Sequence, residues 1–175
     1  DARLLTVLAS LGGDVAKLDL GAVLLGEGAR SELVGVALGA GRQHFDHHTT
    51  HEHRAGRTWS NLDFKVALAG RARSAYTGLI RIEEGAPHSE AYQENRNLML
   101  SDACRADTIP ELEILTDEVA CTHGATVAPV DGEHLFYLRS RGLPAVEAIR
   151  LIVRGFLETT LARLPEALRA EVETL

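Results

Sequence analysis

The sequence predicts a mainly β fold: a parallel β-helix, or solenoid, followed by a small α-helical C-terminal domain. Three observations carry this. Short apolar runs of period 2 recur through residues 1–130, the alternation expected of strands with unlike faces. Glycines punctuate these runs, singly and in clusters, and the first 86 residues contain no proline. From Ala145 the apolar spacing lengthens to that of an amphipathic helix.

Taken in order, the strand-like runs begin with Ala2–Leu8 and Val15–Leu20. Leu33–Leu38 follows, and then the histidine-rich stretch His44–His53. Next come Leu62–Leu68, Leu79–Ile82, Leu98–Leu100, Leu112–Ile114 and Val119–Cys121. No segment before residue 130 sustains a 3.6 period. Aromatics make up only 5% of the chain, thin material for a sandwich core. Asn-Gly hairpin signals are absent from this region. Short strands with glycine corners and small apolar side chains fit coils that stack on one another. A parallel β-helix therefore ranks first, with a sandwich or barrel second.

The C-terminal stretch reads as helices. Asp131 is placed as an N-cap and Gly142 as a C′ stop, giving a helix over 132–142, although Asp-Gly also suits a hairpin turn. After Leu143-Pro144, an apolar stripe runs through Val146, Ile149, Val153, Phe156, Leu157, Leu161 and Leu164, a helix over 145–164. Pro165 ends or kinks it, and Leu168, Val172 and Leu175 offer another apolar row. The division is a β core over 1–130 and a helical domain over 131–175. The chain opens directly on strand text with Asp1, so entry in mid-architecture, a fragment of a longer chain, is expected.

Composition excludes several functions. The chain has 175 residues, 18 basic and 25 acidic, for a formal charge of −7. That is too apolar for disorder and too acidic for a general nucleic-acid binder. No signal peptide or membrane-length apolar run is visible, so a soluble cytoplasmic protein is expected. Residues 83–118 hold ten carboxylates against two arginines, which localises the charge. This stretch reads as a solvated face or as a docking face for a basic partner. The only cysteines, Cys104 and Cys121, cannot close a four-thiolate metal site.

Two constellations could carry chemistry. Five of eight histidines fall within His44–His53. On a strand, His47, Thr49, His51 and His53 share a face with Phe45. They read as metal ligands or as a polar ladder bonded to neighbouring coils. Cys121 and His123 are the second pair. One residue apart on a strand, they point to one face and suit iron or zinc. Two ligands cannot close a site, so a metal there needs another chain; the alternative is a core cysteine and a hydrogen-bonded histidine. Gly26-Glu27-Gly28 lacks the remainder of a phosphate-binding signature.

Four ordered blocks carry a family resemblance: Ala91–Asp102, Asp107–Ile114, Cys121–Val127 and Leu135–Gly142. Together they resemble the SufB/SufD family of iron–sulfur cluster assembly proteins, and Leu-Phe-Tyr-Leu-Arg-Ser-Arg-Gly favours its SufD branch. Gln43–His53 is also similar, though richer in histidine than the family pattern requires. The likeness runs from Gly12 to Leu164.

That resemblance implies a right-handed β-helix and a non-enzymatic scaffold. It implies pairing with a SufB-like subunit, or with itself, through strand 118–128, with contacts at Val119, Cys121, His123 and Thr126. It implies docking of a SufC-like ATPase on the C-terminal helices, through Phe136, Tyr137, Arg139, Arg141, Ile149, Val153 and Phe156. His123 and Cys121 become partial ligands of a transient iron–sulfur cluster that this chain does not hold stably alone. No nucleic acid or membrane is involved. Two rivals remain: a stand-alone metal-binding module on His47, His51 and His53, and a β-helix carbohydrate-active enzyme using the acidic stretch.

Overall fold

In the computed structural model, residues 2–166, 169 and 170 are described. The expected apolar row Leu168, Val172 and Leu175 lies outside them. The strands are β1 (Arg3–Ser10), β2 (Val15–Leu24), β3 (Arg30–Gly39), β4 (His44–His53), β5 (Trp59–Leu68), β6 (Arg73–Ile82), β7 (Glu90–Met99), β8 (Arg105–Ile114) and β9 (Ala120–Pro129). Two helices follow, α1 (Gly132–Ser140) and α2 (Ala145–Leu161). No described helix is long and apolar enough to cross a membrane.

All pairings are parallel, and alternate strands join alternate sheets. One sheet has the order β1-β3-β5-β7-β9 and the other β2-β4-β6-β8. Two strands and their corners make one coil of a solenoid. Val15 pairs with His44, and Arg30 with Trp59, each 29 positions apart. Equivalent side chains stack in columns, with about 4.8 Å between neighbouring strands. Gly41 and Gly70 turn adjacent corners at φ +61° and +66°. A Cβ on Gly70 would lie 3.1 Å from the Gly41 backbone, so the corners pack closely as well.

The core fills the space between the two sheets. Leu33, Leu62, Phe64, Val66 and Leu68 meet Phe45 and Tyr76 there. Strands β4 and β6 bury alternate residues, the pattern of a sheet with one solvated face. Strands β3 and β5 bury both faces in their middle stretches. Their outer face lies under α2. Val34 and Val36 pack there against Leu157, Leu161 and Leu164. Lys65 Nζ donates to the Phe156 carbonyl at 2.7 Å and to Thr159 Oγ1 at 2.6 Å. The helical segment is thus bolted to the side of the solenoid.

Helix boundaries differ slightly from expectation. Asp131 does cap α1, its carboxylate accepting from the Glu133 and His134 amides. The helix ends at Ser140, not 142, because Gly142 adopts φ +91°. The Gly142 and Leu143 amides then donate back to the Arg139 and Leu138 carbonyls, a Schellman closure. Helix α2 ends at Leu161, three residues early, in a turn that precedes Pro165.

Candidate functional site

Strand β9 is the last of its sheet and pairs on one side only, with β7; β8 ends the other sheet. The expected strand 118–128 is observed at Ala120–Pro129. Together β8 and β9 form an open end of the solenoid, where columns that are core elsewhere meet solvent. Val127, Ile109, Ile114 and Leu115 are exposed at this end or beside it.

Cys121 and His123 both face inward, in adjacent columns. Cys121 caps the column Ser31, Ser60, Ala91. His123 caps the column Leu33, Leu62, Gln93. Cys121 is half-buried against Ile80, Ile82 and Ala91, and this burial pushes its thiol pKa up. His123 is exposed. The strand alternation read from sequence therefore places both groups on one face at an unpaired edge.

The remaining expected contact residues fall into three sets. Val119 packs with Cys121 against the core, while Thr126 is exposed and its carbonyl accepts from Asn97 Nδ2 at 3.1 Å. Phe136 and Tyr137 are exposed on α1, with Arg141 stacked over the Tyr137 ring at 5.2 Å. Arg139 is also exposed. Ile149 and Val153 line a groove between α2 and the solenoid, with Leu38, Ala67 and Leu143. Val153 and Phe156 also pack on the Val34–Leu157 cluster, so their side chains belong partly to the fold.

The histidines of β4 lie along a ladder of hydroxyl groups. His47, His51 and His53 are buried in the solenoid and face hydroxyls of neighbouring strands. His47 Nε2 lies 2.9 Å from Ser10 Oγ, and His51 Nε2 lies 3.2 Å from Ser31 Oγ. His53 meets Thr58 Oγ1 at 2.7 Å and Ser60 Oγ at 2.8 Å. Burial pushes the pKa of His51 and His53 down to about 4, so the rings are neutral at physiological pH. Among the described residues, no three His, Cys, Asp or Glu side chains group to hold a metal.

The acidic stretch is half paired at the surface. Five of its ten carboxylates, on Glu83, Glu94, Asp107, Glu113 and Glu118, face arginine or histidine. One feature escaped the sequence reading. Gln93, Asn95 and Asn97 form a polar row inside the last coils, and Gln93 Oε1 and Thr108 Oγ1 are buried without protein partners. Both residues lie in the quoted blocks, but only the register shows that they point inward.

Residues 1–156 match the family described as "SUF system FeS cluster assembly, SufBD core domain". The chain belongs to the SufBD family. An iron–sulfur cluster assembly SufBD family protein of Mycobacterium bovis is 37% identical over 172 residues, covering 94% of this chain and 43% of that protein. The Escherichia coli iron–sulfur cluster assembly protein SufD is 35% identical over 161 residues, covering 92% and 37%. A SufBD family protein of Mycobacterium leprae is 36% identical over 152 residues, covering 87% and 18%. The chain thus spans less than half the length of the curated relatives it matches. The matched residues 1–156 take in all nine strands, α1 and most of α2.

Proposed function

We propose that this chain is a non-catalytic, cytoplasmic scaffold subunit of the Suf assembly system, in the SufD branch. The observation that supports this most directly is the inward placement of Cys121 and His123 at the open β9 edge. An unpaired strand edge can extend its sheet into a partner of similar shape. A SufB-like subunit, or a second copy of this chain, would pair there through Val119, Cys121, His123 and Thr126. The partner would supply the remaining ligands, and the iron–sulfur cluster is cargo passing through this shared site. Exposed imidazole nitrogen is a ready ligand, whereas the half-buried thiol of Cys121 must lose its proton first. His123 is accordingly the leading ligand and Cys121 its neighbour.

Docking of a SufC-like ATPase falls to the exposed faces of α1 and α2: Phe136, Tyr137, Arg139 and Arg141, and the groove edged by Ile149 and Val153. Removing the whole helical segment would uncover Val34 and Val36, so point changes are the better probe. The decisive experiment reconstitutes the complex with His123→Ala. Cluster assembly should fall severalfold while folding is unchanged; full assembly would refute the reading. Phe136→Ser with Arg139→Glu should weaken capture of the ATPase, and undiminished capture would remove the docking assignment.

A further inference from the structure

We propose that Gln93 is a positioning residue for His123, holding its imidazole in one tautomer so that the other ring nitrogen faces the cluster site. This rests on the scaffold reading above for the meaning of His123; the register of Gln93 and His123 does not depend on it.

Four observations support it. Gln93 on β7 is the register partner of His123 on β9, and both belong to one inward column. Gln93 is only 2% exposed although its coil is the last but one, so the residues of β9 cover it. Its amide is oriented: Nε2 donates to the Gly78 carbonyl at 3.1 Å, which turns Oε1 away from Gly78. Finally, Oε1 is buried with no protein donor. Leaving such an acceptor unsatisfied is costly, because the hydrogen bonds it made to water are lost without replacement.

The surroundings narrow the choice of donor. The Tyr76 hydroxyl, which also lies close to Gly78, bonds to Thr49 Oγ1 at 2.7 Å and makes no hydrogen bond to Gln93 Oε1. Gly78 is part of the arrangement, since a Cβ there would lie 2.3 Å from Gln93 Nε2. The absence of a side chain on β6 is what lets the glutamine amide reach across. His123, the register partner of Gln93 on the adjacent strand, carries an N–H that an amide oxygen can accept. A neutral imidazole donates through one nitrogen and offers a lone pair through the other, so fixing the donor fixes the ligand atom. Such supporting bonds are worth roughly 10–100-fold in metal affinity or activity.

The test uses the full chain labelled with 15N-histidine, well above the imidazole pKa range. Long-range 1H–15N spectra report the tautomer of each ring, and His123→Ala assigns the His123 signals. We expect one dominant His123 tautomer in the unaltered chain. Gln93→Met, close in volume but without the acceptor, should give a mixture. Gln93→Glu should restore the single form, because a carboxyl oxygen can accept from His123 whether or not the group is ionised. The buried His51 and His53 signals serve as the folding control, and Gln93→Glu alone remains informative if the methionine variant does not fold. A tautomer ratio unmoved by Gln93→Met overturns the proposal, as does a change on Thr108→Val in its place. In the reconstituted complex, Gln93→Met should lower assembly roughly tenfold. If His123→Ala leaves assembly intact while the tautomer responds to Gln93, the scaffold reading fails and the positioning contact stands.

Discussion

The Asp63 carboxylate accepts a hydrogen bond from the Thr160 hydroxyl at 2.9 Å, 97 residues away in sequence. The same Oδ2 accepts from Arg163 Nη1 at 3.0 Å, and that guanidinium also pairs with Glu32. A buried acid on the outer face of β5 thereby fastens the end of α2. Asp63→Ala should leave the buried Thr160 hydroxyl without its acceptor and Arg163 with Glu32 as its remaining ion-pair partner. The expected cost is about 2 kcal/mol, below the range for a fully buried pair because Arg163 is partly exposed. Urea unfolding should show the loss, and hydrogen exchange should localise it to α2. Unaltered protection of α2 would refute the fastening role.

Gly35 is required by the close packing of successive coils. A Cβ at this position would lie 2.1 Å from the Phe64 ring, in the next coil of the same column. Gly35→Ala should therefore overpack the core and destabilise the fold by about 1–3 kcal/mol. Adding Phe64→Leu should recover part of that loss in thermal unfolding. Additive losses would mean that the clash is not the cause.

The buried histidines make stability depend on pH. His51 titrates near 6.5 when unfolded and about 4 when folded, so the unfolded chain binds more protons between those values. Stability is then fully present above about pH 6.5 and falls as pH drops toward 4. The shift corresponds to about 3 kcal/mol for His51 at most. His51→Gln should flatten the slope of urea midpoint against pH in this window. An unchanged slope would show that other groups carry it.

The two thiols should react in a fixed order. Cys104 is buried and donates to the Ser101 carbonyl at 2.9 Å, whereas Cys121 is only half-buried at the open edge. Under native conditions Cys121 should be labelled by iodoacetamide first, more slowly than a free thiol because burial raises its pKa. Cys104 should react only after unfolding. Pairing of β9 with a partner should protect Cys121, which a labelling time course with and without the partner would reveal.

Much of this was legible in the residues themselves. The alternation Phe45, His47, Thr49, His51, His53 announced one buried face, and the hydroxyl-bonded ladder was one of the two readings it allowed. The run Leu33-Val34-Gly35-Val36-Ala37-Leu38 reads as an alternating strand, yet it is apolar on both faces and the structure covers both. Its cover could not be named, because the partner α2 lies more than a hundred residues downstream. Cys121 and His123 were found through period-2 spacing. Gln93 was not, since glutamine carries no apolar signal and its column appears only when 93 is set against 123. The strand of Glu90–Met99 was half hidden for the same reason: its inward row is Ala91, Gln93, Asn95 and Asn97.

The pairing register carries a consequence for how this molecule tolerates change in length. Steps between stacked positions are 29 from Val15 to His44, 31 from Trp59 to Glu90 and 32 from Arg73 to Arg105. The seven strands β3–β9 are nonetheless ten residues each. The corners absorb every difference, and the strands absorb none. An insertion at a corner lengthens a loop, while a single residue added within a strand sends every later side chain of that strand to the opposite face. Sequence drift, epitope tags and fluorophore attachment sites are therefore channelled to the rims of the coils.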